Sequence, residues 1–279
     1  MRLRDYAENV PKPMVPIGYR PVLWHLMRYY AHYGHTDFIL CLGYRGDLIK
    51  EYFLHYEECI SNDFVLSRGG KKRELLSSDV VDWRITFVET GLNANIGERL
   101  KAVEHHLAGE PMFLANYADG LTDLPLPEQI NDLKRRGKLA SFLCVKPNLS
   151  YHFVATENGV VTGFRDIAQA GLRVNGGFFA FRREIFDYIR LGEELVEEPF
   201  QRLLGANQLA AFEYDGFWLP MDTAKDKKRL DDLFESGNAP WQVWRQPKPS
   251  GVSRITASPR ADIPRDVEST TSTASAVAP

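Results

Sequence analysis

The sequence predicts an α/β fold with a mixed, mostly parallel β-sheet and helices on both of its faces. Over residues 1–145, short runs of consecutive apolar residues alternate with segments whose apolar residues recur at helical spacing. A short run that is apolar at every position is typical of a parallel strand covered on both faces. Farther along, Asn158-Gly159 is a strong two-residue hairpin sequence. We therefore expect βαβ units in the first half and a mixed extension of the same sheet in the second.

The first half of the chain supplies the parallel part of this sheet. Pro21 suits the first turn of a helix, and Gly34 ends that helix. Asp47 is expected to cap the next helix. Residues 59–83 form a polar excursion, whose basic run at 68–73 is expected to be a solvated surface on an arm. The predicted elements are a helix at 21–33, a strand at 38–42, a helix at 47–56, a strand at 85–89, a helix at 98–107 and a strand at 112–115.

The second half adds the hairpin and the remaining strands. Gly137 ends a further helix, and Asp215-Gly216 forms a turn. From residue 246 onward the chain is rich in Pro, Ser, Thr and Ala, so we predict one domain at 1–245 and a disordered tail at 246–279. The predicted elements are a helix at 127–136, a strand at 141–145, a hairpin turning at 158–159, a strand at 176–181, a helix at 183–190, a strand at 209–214 and a helix at 224–236.

Composition restricts the classes of function. The chain has 279 residues and a net charge of -3, so no overall positive field recruits nucleic acid or an anionic membrane. No apolar run approaches membrane-spanning length, and the N-terminus lacks a signal-peptide pattern. Cys41, Cys59 and Cys144 are odd in number and lack metal-ligand spacing, and the runs around Cys41 and Cys144 predict buried positions. We expect a cytoplasmic protein without nucleic-acid or membrane partners.

Seven short segments spread over residues 1–244 form a recognisable series. The segments are Pro11-Lys12-Pro13-Met14, Pro21-Val22-Leu23-Trp24-His25, Leu42-Gly43-Tyr44, Gly97-Glu98-Arg99-Leu100-Lys101, Tyr117-Ala118-Asp119-Gly120, Asn175-Gly176-Gly177-Phe178-Phe179 and Gly216-Phe217-Trp218-Leu219-Pro220-Met221-Asp222-Thr223. Each segment alone is a weak motif, whereas seven in family order are specific. Taken together and in order, they resemble the sugar-phosphate nucleotidyltransferases, and the resemblance is greatest to the bacterial glucose-1-phosphate cytidylyltransferases.

The resemblance implies a Rossmann-like sheet of the nucleotide-diphospho-sugar transferase type and a definite reaction. A sugar 1-phosphate oxygen attacks the α-phosphorus of a nucleoside triphosphate, and pyrophosphate leaves. CTP and glucose 1-phosphate are the favoured substrates, with UTP or dTTP as open alternatives. Because both substrates are anions, positioning and electrostatic stabilisation must do most of the catalytic work. The resemblance also implies Mg²⁺ and a homo-oligomer, for which the 59–83 excursion is a candidate intersubunit arm.

Two aspartates are the metal ligands that the resemblance implies. Asp119 follows a predicted buried strand, so its carboxylate is expected at the carboxyl edge of the sheet, where ligands bind in such folds. Asp222 matches the second metal-binding carboxylate of the family. Two carboxylates together with substrate phosphates suit Mg²⁺, which keeps several waters. Taken alone, Asp119-Gly120 would predict a plain turn and Asp222 a helix cap, so the metal assignment depends on the resemblance.

The other site residues implied by the resemblance fall into three groups. Lys12, held between two prolines that restrict the backbone, matches a phosphate-contacting lysine, and Arg2 matches the arginine of the family's first loop. Arg99 is either the nucleotide-side arginine or a solvated helix residue, and Trp218 either lines the pocket or belongs to the core. The implied residues are Lys12 and Arg2 for catalysis, Arg99, Ala118 and Gly97 for the nucleotide, and Asn175, Gly176, Arg165 and Trp218 for the sugar phosphate.

The sequence departs from the family pattern in three places. It starts at Met1-Arg2-Leu3, where the family has an apolar strand and a glycine-rich phosphate loop before the matching Arg-Leu. We expect a start codon farther upstream rather than a truncated gene, because a sheet without that strand would have two unpaired strand edges. Residues 164–168 replace the family's Glu-Lys-Pro, so that Arg165 is the candidate substitute for a lysine. Ala118 stands where the family has glycine.

Two other functions fit some of these observations. In a nucleotide-sugar glycosyltransferase, Asp119 and Asp123 would form the acidic metal motif, but Lys12 and the Asp222 segment argue against it. An inactive paralogue that binds a nucleotide or an active partner fits the missing loop and the lost Glu-Lys-Pro. Release of pyrophosphate rather than nucleoside diphosphate would distinguish the transferase from the glycosyltransferase, and titration with CTP and Mg²⁺ would test the inactive paralogue.

Overall fold

A computed structural model describes residues 10–56, 63–76, 80, 82–147, 152–166, 171–245 and 275–277. The six helices in this part of the chain are α1 Val22–His32, α2 Gly46–Leu54, α3 Ile96–Ala102, α4 Leu126–Arg136, α5 Glu198–Gly205 and α6 Ala224–Glu235. The first strands are β1 Pro16–Ile17, β2 Arg20–Pro21, β3 Asp37–Leu42, β4 Phe64–Ser67, β5 Lys72–Leu75, β6 Arg84–Glu89, β7 Met112–Asn116 and β8 Gly120–Thr122. The remaining strands are β9 Ala140–Val145, β10 His152–Glu157, β11 Val160–Asp166, β12 Val174–Arg182, β13 Leu209–Tyr214, β14 Trp218–Pro220 and β15 Ser275–Val277.

A sheet of seven strands in the order β13-β9-β12-β7-β15-β3-β6 forms the centre of the molecule. The β7, β15, β3 and β6 strands are parallel to one another, and β13 is parallel to β9. Strand β12 runs antiparallel to both β7 and β9. The predicted mixed, mostly parallel sheet is therefore confirmed.

The sheet is buried on both faces, as the continuous apolar runs predicted. On β3, Phe38 and Leu40 pack into a core with Leu26 and Met27 of α1. The alternate residue Ile39 packs into a second core on the opposite face. That second core holds Cys41, Phe113 and Phe179 of the sheet, Leu100 of α3, and Phe200 and Leu203 of α5. Adjacent residues of one strand point to opposite faces, so both cores are needed to cover it.

Several predicted elements differ from the structure. The predicted helix at 98–107 is divided into α3 and a 3₁₀ turn at Glu104–Leu107, and the one at 183–190 is a 3₁₀ segment, Arg183–Tyr188. Helix α5 was not predicted, although Pro199 occupies its first turn. Asp47 is not a cap: Arg45, in the left-handed region at φ 53°, precedes α2, and Asp47 lies in the first turn.

The cysteine and hairpin predictions have mixed outcomes. Cys41 is a buried free thiol, whereas Cys144 is only half-buried, and Cys59 lies outside the described residues. The hairpin at Asn158-Gly159 is confirmed, since β10 and β11 pair antiparallel and both turn residues have positive φ. In the 59–83 excursion, β4 and β5 form an exposed hairpin that includes the basic run.

Strand β15 changes the expectation for the tail. Residues 246–274 and 278–279 lie outside the described residues, so their disorder stays a prediction. For Ser275–Val277 it is wrong, because these residues form a strand between β7 and β3. Along this length, the facing edges of β7 and β3 both pair with β15. Within the described residues, no helix combines the length and apolarity that crossing a membrane requires.

Candidate active site

A short antiparallel ladder at the carboxyl end of β7 brings two distant segments together. Strand β8 pairs with β14 in a register that sets Gly120 opposite Pro220. Just beyond the ladder, the Met221 N–H donates to the Asp119 carbonyl at 2.9 Å. Asp119 precedes Gly120 and Asp222 follows Met221, so this register places both aspartates at one end of the ladder.

Lys12 lies between the two carboxylates. Its Nζ donates to Asp119 Oδ2 at 2.6 Å and to Asp222 Oδ1 at 2.6 Å. Pro11 is extended, Pro13 is buried, and Lys12 begins a 3₁₀ turn between them, so the backbone that carries the lysine is held in place. The structure therefore brings Lys12, Asp119 and Asp222 into one cluster. Its side chains are partly exposed, at 33% for Lys12, 26% for Asp119 and 59% for Asp222.

The electrostatics of the cluster combine desolvation with close opposite charge. Burial acts to lower the pKa of Lys12, but the two carboxylates, Asp119 foremost, outweigh it and hold the pKa above its ordinary value. Burial raises the pKa of Asp119, and the nearby Asp222 adds to this, although Lys12 counteracts both. A second cation at this point would favour the ionised form of Asp119.

The cluster fits a hard divalent cation. Two carboxylates already converge on one positively charged atom, the Lys12 ammonium, in the way that they would converge on a metal ion. No group of three or more His, Cys, Asp or Glu side chains suited to a metal occurs in the described residues. The protein would thus supply two oxygen ligands, and substrate phosphates and water the rest, which is the usual situation for Mg²⁺.

Asp222 does not cap the helix that follows it, although its position suggested this role. The cap of α6 is Thr223, whose side chain accepts from the Asp226 N–H, while the Asp226 side chain accepts from the Thr223 N–H in a capping box. The interpretation of Asp222 as a helix cap is therefore wrong.

Asp123, by contrast, has a structural role. Its Oδ1 accepts from the Tyr214 hydroxyl at 2.6 Å and from the Phe217 N–H at 2.8 Å. These bonds tie the end of β13 and the residue before β14 to the end of β8. The same oxygen is thus committed to two protein donors, which argues against an acidic metal motif of Asp119 with Asp123.

The turn that carries Asp119 is held by groups that sequence reasoning missed. Ala118 is buried at φ 65°, and its N–H donates to Asn116 Oδ1 at 2.7 Å. Ala118 therefore positions the turn, in a backbone conformation that favours glycine. Tyr117 is the first residue of the Tyr117–Gly120 segment and Asn116 directly precedes it, and this position is the signal by which the sequence could have identified them.

Arg99 is buried, so its interpretation as a solvated helix residue is wrong. It is only 7% exposed, and its Nη1 donates to Thr90 Oγ1 at 2.8 Å. Its guanidinium lies against Gly43, where an added Cβ would come within 2.4 Å of Nη2. In the part of the chain that the structure describes, no carboxylate forms an ion pair with this guanidinium. A buried cation thus lies at the carboxyl end of β3.

Gly97 is explained by packing. A Cβ at this position would lie 2.2 Å from the Glu193 carbonyl oxygen. The backbone of residues 193–195 therefore needs a glycine in the first turn of α3 in order to approach it.

The residues expected at the sugar adjoin the Asp119 turn. Asn175 Nδ2 donates to the Tyr117 hydroxyl at 3.3 Å, and Asn175 Oδ1 accepts from the Gly177 N–H at 2.9 Å. The half-buried Trp218 donates its Nε1–H to the Gly176 carbonyl at 2.8 Å and packs with the core. Arg165 is a residue of β11 whose backbone pairs with Phe153, and Arg2 lies outside the described residues.

Comparisons with known proteins give the family. No protein-family model matches the chain. The glucose-1-phosphate cytidylyltransferase of Salmonella typhi is 38% identical over 245 residues, which are 87% of this chain and 95% of that protein. The mannose-1-phosphate guanyltransferase of Saccharomyces cerevisiae is 27% identical over 236 residues, covering 81% of this chain and 59% of that protein.

Solved structures agree in fold. HddC from Yersinia pseudotuberculosis superposes with a TM-score of 0.59 at 18% identity, over 84% of this chain and 94% of that one. The UDP-glucose pyrophosphorylase of Acinetobacter baumanii gives a TM-score of 0.59 at 14% identity, over 83% of this chain and 89% of that one. The predicted Rossmann-like fold of the nucleotide-diphospho-sugar transferase type is confirmed. At 38% identity over most of its length, the chain belongs to the glucose-1-phosphate cytidylyltransferase family of sugar-phosphate nucleotidyltransferases.

Proposed function

We infer that this chain transfers a cytidylyl group from CTP to glucose 1-phosphate, with Mg²⁺ held by Asp119 and Asp222. The observation that carries the proposal is the Lys12 ammonium, which lies 2.6 Å from each of these carboxylates beyond the carboxyl end of β7. An ammonium and a metal-binding carboxylate pair in one place are what the joining of two anionic substrates requires. The choice of CTP and glucose 1-phosphate follows the names of two relatives that are 38% identical to this chain.

The proposed reaction is a displacement at phosphorus. An oxygen of the sugar 1-phosphate forms a bond to the α-phosphorus, and the bond from that phosphorus to the pyrophosphate oxygen breaks. Mg²⁺, when bound, would neutralise phosphate charge. Lys12 would move from the carboxylates to a phosphate oxygen. Its ammonium would change one anionic partner for another and keep its positive charge. The backbone turn at Ala118 would keep Asp119 in place during this exchange.

Two further groups would bind the substrates. The buried Arg99 guanidinium, paired with a hydroxyl rather than with a carboxylate, offers positive charge on the nucleotide side. Asn175, braced through Tyr117, adjoins the Asp119 turn and is suited to hydrogen bonding with the sugar. Gly97 and Trp218 would support these groups through packing. For Arg2 and Arg165, the proposed phosphate contacts rest on the family resemblance.

Pyrophosphate release tests the function directly. The chain is incubated with Mg²⁺, each of CTP, UTP and dTTP, and each of several sugar 1-phosphates. We expect the highest rate with CTP and glucose 1-phosphate, and loss of that rate with EDTA. Release of a nucleoside diphosphate from a nucleotide sugar would instead identify a glycosyltransferase.

If no turnover is found, a second experiment distinguishes a truncated transferase from an inactive paralogue. If the chain binds CTP with Mg²⁺ without turnover, a chain extended upstream is assayed alongside it. Activity of the extended chain supports the transferase, whereas binding without turnover in both supports the inactive paralogue. We also propose a cytoplasmic homo-oligomer, for which light scattering at several protein concentrations gives the mass.

A further inference from the structure

The first residues of strand β12 form a β-bulge, which sets the direction of one side-chain amide. Asn175 pairs with Cys144 of β9, whereas Phe179 pairs with Phe142, so the register between the two strands shifts within this stretch. A bulge of this kind turns neighbouring side chains in a new direction and is frequent beside active sites. Here the Asn175 side chain folds back, and its Oδ1 accepts from the Gly177 N–H at 2.9 Å.

The Tyr117 hydroxyl receives that amide. Because Gly177 holds Oδ1 of Asn175, the Asn175 Nδ2 points to Tyr117 and donates to the hydroxyl oxygen at 3.3 Å. The Tyr117 ring also makes an edge contact with Phe179, at a distance of 5.1 Å between ring centroids. Gly177 leaves the space for this ring, since an added Cβ would lie 2.8 Å from Tyr117 Cδ2. Backbone geometry and ring packing therefore fix both polar groups.

The hydrogen-bonding capacity of this pair shows what it offers to a ligand. A tyrosine hydroxyl that accepts a hydrogen bond still has its own proton to donate, and Asn175 uses only one of its two Nδ2–H groups for Tyr117. In the part of the chain that the structure describes, neither remaining donor has an acceptor. Both side chains are half-buried, so a ligand can reach the two donors. They are adjacent, neutral and held in a fixed direction.

The pair lies next to the candidate metal site, on a side that carries negative charge. Tyr117 comes two residues before Asp119, whose carboxylate contacts Lys12. Burial raises the pKa of Tyr117 to about 12, and the carboxylates of Glu194 and Asp119 add to this, although the Asn175 hydrogen bond counteracts it. The hydroxyl therefore keeps its proton at neutral pH. Negative charge on this side favours an uncharged group of a ligand over a phosphate.

We propose that Tyr117 and Asn175 form a donor pair that binds two neighbouring hydroxyl oxygens of the hexose ring, and that Tyr117 is a specificity-determining residue for the sugar. The proposal rests on the proposed function, in which a sugar 1-phosphate lies beside the Asp119 turn. The phosphate would face Lys12, and the ring would extend to the donor pair. Such a site discriminates against a sugar without the matching hydroxyl, because a donor is then left unpaired.

Binding of sugar analogues tests the donor pair without requiring turnover. Glucose 1-phosphate, and analogues that each lack one ring hydroxyl, are titrated calorimetrically into the full chain with Mg²⁺ and α,β-methylene CTP, which cannot release pyrophosphate. Tyr117→Phe keeps the ring and removes only the hydroxyl. We expect this variant to bind glucose 1-phosphate about tenfold more weakly. For the analogue that lacks the hydroxyl bound by Tyr117, we expect no further loss.

Two other variants complete this test. Tyr33→Phe is the matched control, since the Tyr33 hydroxyl donates to the Leu124 carbonyl at 3.3 Å in the core on the opposite face of the sheet. It should bind glucose 1-phosphate as the unmodified chain does. Asn175→Asp keeps an acceptor for the Gly177 N–H but loses both N–H donors, so we expect a loss comparable to that in Tyr117→Phe. An equal loss in Tyr117→Phe for glucose 1-phosphate and for every analogue would show a purely structural role and overturn the proposal. Unchanged binding in that variant, or no binding by the unmodified chain, would also overturn it.

Pyrophosphate release from CTP by the unmodified chain, measured alongside, separates this proposal from the proposed function. Release, together with sugar binding that Tyr117→Phe leaves unchanged, would overturn the donor pair and keep the proposed function. Sugar binding that depends on Tyr117, without release of pyrophosphate, would support the donor pair and contradict the proposed transfer.

Discussion

Gly120 lies opposite Pro220 in the β8–β14 ladder, and this pairing decides where the two candidate metal ligands meet. The Met221 N–H extends the contact to the Asp119 carbonyl, and Lys12 then joins the two carboxylates. A shift of this register by one residue would turn the side chains of β14 to the opposite face and separate the carboxylates. The cluster therefore depends on the pairing of two strands of only three residues each.

Asp119→Asn is expected to reduce cytidylyl transfer by about 100-fold or more, because an amide oxygen is a much weaker Mg²⁺ ligand than a carboxylate. Steady-state pyrophosphate release at increasing Mg²⁺ concentration measures this. Asp123→Asn is the matched control, since Asp123 holds Tyr214 and Phe217 instead of facing Lys12. An equal loss of pyrophosphate release in both variants, or no loss in Asp119→Asn, would contradict the assignment of Asp119 as a Mg²⁺ ligand.

Lys12→Ala is expected to weaken CTP binding by about 10- to 100-fold, the usual range for losing a hydrogen bond from a charged group. Calorimetric titration with CTP at fixed Mg²⁺ measures the dissociation constant. Lys50→Ala is the control, because Lys50 pairs with the single exposed carboxylate of Glu89, outside the Lys12 cluster. An unchanged CTP affinity in Lys12→Ala would show that this lysine has only a structural role, in its ion pairs with the two aspartates.

Ala118→Gly is expected to stabilise the fold. Ala118 is buried at φ 65°, where a Cβ costs about 1 kcal/mol and glycine avoids the strain. The expected net gain in the free energy of unfolding is about 0.5 kcal/mol, because the greater backbone entropy of glycine in the unfolded chain offsets about half of the strain relief. Urea denaturation measures it. Ala210→Gly, in the regular strand β13, is the control and should lower stability, so a loss in both variants would argue against strain at Ala118.

His25 is expected to make stability fall with acid. Its Nδ1 accepts from Trp241 Nε1–H at 3.3 Å, so its Nε2–H donates to the Ile17 carbonyl at 3.0 Å and the ring is neutral. Burial lowers the pKa of His25 to about 4 from 6.5, and Arg20 and Arg245 add to this. The unfolded chain therefore binds the proton first, and stability is lost as the pH falls from about 6.5 to about 4.

The expected loss between pH 7 and pH 5 is about 2 kcal/mol in the free energy of unfolding. Urea denaturation at several pH values, followed by tryptophan fluorescence, measures it. His25→Phe should flatten this dependence, whereas His106→Gln, at an exposed position, should leave it unchanged. The same slope in His25→Phe would assign the acid sensitivity to other groups.

The sequence by itself determined the local elements and the candidate residues. Its apolar runs predicted β3, β6, β7, β9 and β13, Asn158-Gly159 predicted the hairpin, and seven short segments led to the family and to Lys12, Asp119 and Asp222. These features depend on periodicity and turn chemistry within a few residues, which a sequence displays directly.

Only the tertiary structure decided how these elements combine. It paired Gly120 with Pro220, buried Arg99 against Gly43, made Thr223 rather than Asp222 the cap of α6, and set Ser275–Val277 between β3 and β7. Strand pairing between distant segments depends on which backbone groups and apolar faces are left to satisfy once the rest of the chain has packed. Those requirements depend on the whole molecule, so no local pattern in residues 246–279 could have predicted an interior strand of the sheet.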